Sequence, residues 1–222
     1  MLFRSAFLDP RIHAARNQPG QASAAAQVAA ALAGSAILLA HRENDPRVQD
    51  PYSFRCAPQV LGAAIDTLAF ARGVVERELG GVTDNPLVFL EGGAADGGAA
   101  DIVSGGNFHG MPLAIALDLF AIACCHVAGI SERRTFWVVS GFDQFVGHRP
   151  YLAKDPGVES GLMIAQYAAA ACVNELQSLA HPASVGNVGT CGGIEDYNSF
   201  GPLAAAQLER GVRLLQIGRA HV

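Results

Sequence analysis

The chain has 222 residues, a formal net charge of −5, 50% apolar residues and only 16% charged residues. A soluble surface usually carries about 25% charged residues, so we expect part of this surface to be covered, most simply by further copies of the chain. No basic run occurs, which argues against a nucleic-acid partner. The five cysteines are odd in number and lack CxxC spacing. That pattern is typical of reduced thiols in a cytoplasmic protein and not of a disulfide or zinc framework.

The first predicted long helix covers residues 20–40, which are rich in alanine, the best helix former. The stretch is about as long as a membrane span. Gln21, Gln27 and Gly34 interrupt it, however, and alanine is barely hydrophobic. We therefore expect a packed helix of a cytoplasmic protein with no membrane partner.

Three further long helices and one hairpin follow. Residues 57–79 place apolar side chains at intervals of three, four and seven, which predicts a helix that stops at the glycines after it. Similar runs predict helices at 112–139 and 160–179. Strand-like segments flank a Gly, Ala and Asp-rich tip at 92–100, which we expect to be mobile. Together these features predict a mostly α fold, a bundle of long helices with a short surface β-hairpin.

Polar residues cluster at three turns ahead of predicted helices, where backbone N–H groups are free to bind a ligand. The first cluster, VQDPYSFRC, spans residues 48–56, with Asp50 as the expected N-cap and Pro51 as the first helical residue. Tyr52 and Arg55 then lie one turn apart on the same face. An Arg fork suits a carboxylate, and a phenol can move a proton. The plain alternative, a half-buried Tyr beside a surface Arg, is favoured by the spacing alone.

The second cluster joins TDNP (83–86) to SGGNFH (104–109). Its two glycines allow unusual backbone conformations and present Asn107 and Phe108 just before the helix at 112–139. The alternative is a tight hairpin exit with Phe108 in the core.

The third cluster is GGIEDYNSF, residues 192–200. Glu195 and Asp196 precede a probable helix, where the helix dipole favours carboxylates. Capping explains Asp196 well and Glu195 less obviously.

Taken in order, six stretches resemble the aromatic amino acid ammonia-lyases, the family that includes the histidine and phenylalanine enzymes: VQDPYSFRC, TDNPLVF, SGGNFHG, SERR, SGLMIAQ and HPASV. The resemblance runs from about residue 19 to about residue 208. It implies a mostly helical, cytoplasmic homotetramer that removes ammonia from an amino acid to give a trans-unsaturated acid. We interpret residues 1–222 as one partial helical domain of such a protein.

By this resemblance, Tyr52 and Glu195 are expected to be catalytic, and four residues are expected to bind the substrate: Gln49, Arg55, Asn107 and Phe108. Arg55 is expected to clamp the substrate carboxylate, with Gln49 and Tyr52 as hydrogen-bonding partners and Tyr52 near the electrophile. Phe108 is expected to form an aromatic wall with Asn107 beside it. Glu195 stands where histidine-specific members carry Glu and phenylalanine-specific ones carry Gln. Because a carboxylate can accept from an imidazole N–H, this favours L-histidine as substrate, trans-urocanate as product and a role in histidine catabolism.

The family's electrophile is a methylidene-imidazolone that forms from its own Ala-Ser-Gly tripeptide, with no metal. The chain contains no Ala-Ser-Gly, since Val or Glu precedes each of its three Ser-Gly pairs. We therefore expect that it is the carboxyl-side part of a lyase, that the cofactor belongs to an amino-terminal part outside it, and that the chain alone is inactive. The tail QIGRAHV (216–222) fits no family pattern, and its reverse translation can reproduce a sequencing adapter, so we expect it to be artefactual.

Two alternatives remain open. Tyr197 and Asn198, which follow Glu195 and Asp196, are closer to phenylalanine-type members, and Met111 stands where many histidine-type members have Glu. A phenylalanine or tyrosine ammonia-lyase, or an aminomutase with the same electrophile, is therefore the enzyme alternative. A non-catalytic helical oligomerisation module is the alternative from another class.

Overall fold

The structure is a computed structural model, and it describes residues 5–40, 49–90, 99–141 and 147–220. Its helices are α1 (Ser5–Leu8), α2 (Pro10–Arg16), α3 (Pro19–Ala31), α4 (Ala36–Ala40), α5 (Tyr52–Arg55), α6 (Ala57–Leu79), α7 (Met111–Ser140), α8 (Met163–Leu179) and α9 (Gly201–Ala220). Strands β1 (Leu87–Leu90) and β2 (Ala100–Val103) form an antiparallel hairpin with Leu87 opposite Val103. The predicted mostly α bundle with a small hairpin is confirmed.

Helix α7 is the centre of the bundle, because it packs against α6, α8 and α9. Alanines dominate its buried face and let the neighbouring helices approach closely. One apolar cluster joins α6 to α7 through Val74 and Ala116. A second joins α7, α8 and α9 through Ala128, Leu176 and Leu214. Among the described helices, α7 is the one whose length and composition would allow a membrane span, but here it is the core helix of the bundle.

Helix α3 crosses α6 where both carry a glycine. A Cβ added to Gly20 would lie 2.2 Å from the backbone oxygen of Gly62, so no larger residue fits there. The Gly20 N–H also donates to the Asp66 carboxylate at 3.2 Å. This close crossing fixes the amino-terminal helices on α6.

The predicted helix at 57–79 is confirmed at both ends, and the one at 112–139 is confirmed to within a residue as α7. The single helix predicted over 20–40 is wrong, because the chain turns between α3 and α4, where Gly34 adopts φ +75°. Helix α8 begins three residues later than predicted, after Gly161 at φ +49° packs against the Tyr151 carbonyl. Most of the tip at 92–100 lies outside the described residues.

The thiols of Cys124 and Cys125 lie within the bundle, and burial raises the pKa of both, so they remain protonated. Cys191, in contrast, is exposed in the loop before α9. Many large apolar side chains are also exposed on the single chain, including Leu79 at 83% and Phe70 at 50%.

Candidate active site in two halves

The first group of predicted site residues lies on and before α5. The guanidinium carbon of Arg55 stands 4.9 Å from the centroid of the Tyr52 ring, which confirms that the two side chains are neighbours on one turn. Tyr52 is 69% exposed and Arg55 is half-buried. Gln49, three residues earlier, is exposed. Helix α5 begins at Tyr52 with Pro51 in the cap position, one residue later than predicted. We call Gln49, Tyr52 and Arg55 the α5 half-site.

The α5 half-site is attached to the carboxyl-terminal part of α7. Nε of Arg134 donates to the backbone oxygen of Ser53 at 2.9 Å. The same guanidinium lies 5.4 Å from the centroid of the Phe54 ring. Ser53 is 8% exposed, so the middle of α5 faces α7 while Tyr52 points to solvent.

The second predicted cluster comes together through Asn85. Its side-chain oxygen accepts from the Ser104 hydroxyl at 3.0 Å and from the Gly105 N–H at 2.8 Å. This joins the TDNP and SGGNFH stretches, as their grouping anticipated. The two glycines of the second stretch do not have a positive φ, so the unusual backbone expected there is absent from these described residues.

Asn107 and Phe108 emerge from this junction just before α7. The Asn107 side chain donates to the Val82 carbonyl at 3.4 Å. Phe108 is 60% exposed, so its alternative interpretation as a core residue of this chain is wrong. An exposed aromatic ring on a well-bonded turn is available to a ligand or to another chain.

Glu195 lies in a tight turn that explains the glycines before it. Gly192 and Gly193 adopt φ +64° and +93°, conformations that side chains disfavour. Thr190 and Glu195 then pair through their backbones, and the Thr190 hydroxyl donates to the Glu195 carboxylate at 2.6 Å. The expected capping role of Asp196 is wrong, because α9 begins five residues later, at Gly201.

This turn is joined to the Asn107–Phe108 turn, although sequence reasoning gave no role to the residue that joins them. Nε2 of His109 lies 2.9 Å from the Tyr197 carbonyl oxygen, so the ring donates from Nε2. The Asn198 side chain donates to the Val188 carbonyl at 2.6 Å, and its N–H donates to Asn187 at 3.1 Å. We call Asn107, Phe108 and Glu195 the loop half-site.

A buried carboxylate attaches the loop that leads to Glu195 to α7. Asp118 is 4% exposed and accepts from the N–H groups of Ala183, at 3.2 Å, and Ser184, at 2.8 Å. Two N–H donors satisfy a buried carboxylate and hold the HPASV turn on the helix. The sequence signal that marks Asp118 is a lone charge in an apolar helical run.

The two half-sites lie at opposite parts of α7. The loop half-site adjoins Met111 at the start of the helix, and Arg134, which contacts α5, is 23 residues further on. At about 1.5 Å per residue, the separation along the helix is about 35 Å. The structure therefore brings Tyr52 to Arg55, and Phe108 towards Glu195, but it does not bring the two pairs together within one chain.

Comparisons with known proteins agree with the motifs. A family model described as aromatic amino acid lyase matches residues 2–218. Over 204 residues the chain is 49% identical to a histidine ammonia-lyase from Anaeromyxobacter sp. (strain K), which covers 91% of this chain and 38% of that protein. The predicted family is therefore confirmed, and this chain belongs to the aromatic amino acid lyases.

Two solved structures share the fold. The crystal structure of histidine ammonia-lyase from Trypanosoma cruzi has a TM-score of 0.77 and 36% identity, covering 98% of this chain and 39% of that one. The phenylalanine aminomutase of Pantoea agglomerans has a TM-score of 0.81 and 27% identity, covering 97% of this chain and 44% of that one. The chain thus spans about two fifths of the length of these relatives.

Proposed function

We propose that this chain is the carboxyl-side part of a lyase that eliminates ammonia from L-histidine to give trans-urocanate. The observation that carries the proposal is the stacking of the Arg55 guanidinium on the Tyr52 ring, 4.9 Å away, on a helix turn that leaves the phenol exposed. A cation and a phenol side by side are what an amino acid's carboxylate and a proton-transfer step require. The 49% identity to a histidine ammonia-lyase supports histidine as the substrate.

In this proposal each half-site has its own task. Arg55 clamps the substrate carboxylate, Gln49 hydrogen-bonds the bound substrate, and the Tyr52 phenol hydrogen-bonds and moves a proton near the electrophile. Glu195 accepts from the imidazole N–H of the substrate. Phe108 provides an aromatic wall, with Asn107 beside it.

The electron sink of the reaction is the family's methylidene-imidazolone, which lets a poor leaving group, the amine, depart. The residues of this chain cannot form it, because the sequence has no Ala-Ser-Gly. We therefore assign it to an amino-side part of the lyase, and we propose that no metal takes part. The α5 half-site fits a neighbouring electrophile because its phenol is 69% exposed.

A complete site then needs more than one copy of the chain. The half-sites are about 35 Å apart along α7, which is too far for one amino acid to touch both. Exposed apolar side chains such as Leu79 and Phe70 provide surface for subunit contacts. We propose a cytoplasmic homo-oligomer, a tetramer as in the family.

The test replaces the matching segment of the Anaeromyxobacter protein with this chain. The chimera is expected to convert L-histidine, measured as rising urocanate absorbance and released ammonia. The isolated chain is expected to do neither. A control chimera in which the serine of the family's Ala-Ser-Gly, on the amino side of the inserted segment, is changed to alanine is expected to be inactive. Turnover by the isolated chain, or a folded chimera that leaves histidine unchanged, would contradict the proposal.

The alternatives are separated by the same chimera. Faster turnover of phenylalanine or tyrosine than of histidine would favour a lyase for those substrates. A β-amino acid product would favour an aminomutase, the class to which the Pantoea enzyme with a TM-score of 0.81 belongs. The non-catalytic oligomerisation module predicts that changing Arg55 or Glu195 leaves the chimera's activity unaltered.

A further inference from the structure

Helix α5 cannot hold its own orientation. It has four residues, and its N-cap is Pro51, whose own side chain cannot cap the helix. A helix of one turn gains too few hydrogen bonds to be stable alone. The direction in which Tyr52 and Arg55 point is therefore set by whatever contacts α5 from the rest of the chain.

Arg134 makes that contact at two consecutive residues. Its Nε donates to the Ser53 carbonyl at 2.9 Å, and its guanidinium stacks on Phe54 at 5.4 Å. Ser53 and Phe54 are the two residues between Tyr52 and Arg55. A planar group that bonds the backbone of one residue and stacks on the ring of the next fixes both the position and the rotation of the short helix.

The described surroundings of Arg134 indicate a role other than ion pairing. Its neighbour Arg133 pairs with Glu132, whereas within the described ranges no carboxylate lies within 4 Å of Arg134. Burial lowers the pKa of the Arg134 guanidinium. Partial burial of a cation that has no carboxylate partner among the described residues costs free energy, so the position is unfavourable for stability alone.

We propose that Arg134 is a positioning residue for the α5 half-site, which it orients through Ser53 and Phe54. This inference rests on the proposed function only for its catalytic consequence. The attachment of α5 to α7 is a property of the chain itself. The proposal gives the SERR motif a role in orienting the α5 half-site, although Arg134 does not touch the substrate.

Hydrogen exchange of the full chain, followed by mass spectrometry, tests the attachment. The reporters are the α5 amides, where Phe54 and Arg55 donate to the Pro51 carbonyl and Cys56 donates to that of Tyr52. Arg134→Met removes the donor and the charge, and we expect these amides to exchange at least about tenfold faster. Exchange in α9 should be unchanged. Arg134→Lys keeps a cation and a donor and should recover part of the protection.

Two variants serve as controls. Arg72→Met removes an exposed arginine that pairs with Glu76 on α6 and should leave α5 exchange unaltered. Asp118→Asn should speed exchange at Ala183 and Ser184 without affecting α5. If Arg134→Met does not fold, Arg134→Gln takes its place: it loses the charge and the guanidinium that stacks on Phe54 but keeps a donor near the position of Nε, so the α5 amides should exchange faster than in wild type, by less than is expected for Arg134→Met.

The catalytic consequence is measured in the chimera. We expect kcat/KM for histidine to fall in the order wild type, Arg134→Lys, Arg134→Met, with equal urea midpoints for the three proteins. Unchanged α5 exchange in Arg134→Met, or an equal increase at every amide of the chain, would overturn the inference. An inactive wild-type chimera with the expected exchange pattern would instead refute the proposed function and leave the attachment standing.

Discussion

The α5 half-site and the loop half-site are held by α7 in different ways. The first lies on a one-turn helix that receives a side-chain hydrogen bond from α7, donated by Arg134. The second lies in a loop system with several side chain–backbone bonds, from Asp118, His109 and Asn198. Losing one contact should therefore reorient the whole α5 half-site but only loosen part of the loop half-site.

The difference matches the chemistry proposed for each half. A carboxylate clamp and a proton-transfer group must be held closely, and one rigid planar tether achieves this at a single point. Recognition of an imidazole N–H needs an acceptor held at one position, and a network of hydrogen bonds between side chains and backbone can hold it there. If the two half-sites are as independent as their separation of about 35 Å implies, a change in one should leave the structure of the other unaltered.

The largest expected effect is that of Arg55→Met in the chimera. Removing one partner of a buried charge pair costs about 2–5 kcal/mol, and here the loss should appear in kcat/KM for histidine. Stability of the isolated chain should change by less than about 0.5 kcal/mol, because Arg55 lies at the surface of α5. Steady-state kinetics and urea unfolding measure the two. A large loss of stability would show that Arg55 is structural.

Changing Glu195→Gln tests the loop half-site. Its carboxylate is proposed to accept from a substrate imidazole, and such a charge-assisted bond contributes about 1.5–3 kcal/mol, or roughly ten- to hundredfold in kcat/KM for histidine. The amide oxygen can still accept from the Thr190 hydroxyl, so the turn should remain folded. Turnover of phenylalanine should be unchanged or higher. Equal losses for both substrates would place Glu195 outside substrate recognition.

Asp118→Asn should destabilise the chain itself by about 1–3 kcal/mol, because a buried carboxylate that accepts from two N–H groups is replaced by a weaker acceptor with an unpaired amide. Urea unfolding of the isolated chain measures this. Asp66→Asn is the matched control, since Asp66 accepts from a single N–H, that of Gly20, and should cost less. An equal or smaller cost for Asp118 would contradict its role as the main attachment of the loop.

The sequence predicted those features that depend on local spacing. The helix at 57–79 was found at both ends because its apolar period continues for six turns and ends at glycine. The Tyr52–Arg55 contact follows from a three-residue interval in the same way. The alanine content over residues 20–40, in contrast, predicts that these residues prefer a helix but not where the helix ends. The helix is interrupted near Gly34, which adopts a positive φ.

Features that depend on distant parts of the chain were not predicted. The motifs named six residues of a single site, but their order does not show that α7 separates them by about 35 Å. The junction of His109 with Tyr197 spans 88 residues, and nothing local to either indicates it. Asp118 did leave a signal, since a lone charge in an apolar helical run needs a partner when it is buried. Arg134 lies in the SERR stretch, which the resemblance marked as a motif without giving this residue a role.

The smallest expected effect concerns the packing of α8 against α9, the helix that follows the loop half-site. Arg210 donates to Glu175 at 2.7 Å across the two helices, and this bond holds the pKa of the Glu175 carboxyl below its usual value. A lowered folded-state pKa gives stability above the unfolded pKa, which is lost as pH falls through the folded one. The difference in unfolding midpoint between wild type and Glu175→Gln should therefore be small at pH 7 and should disappear when the pH falls below the pKa of the Glu175 carboxyl. It should also disappear in 1 M salt, where charges are screened beyond roughly 3 Å. If the difference persists in acid, the attachment between α8 and α9 is apolar, through Leu176 and Leu214, and the loop half-site does not depend on this ion pair.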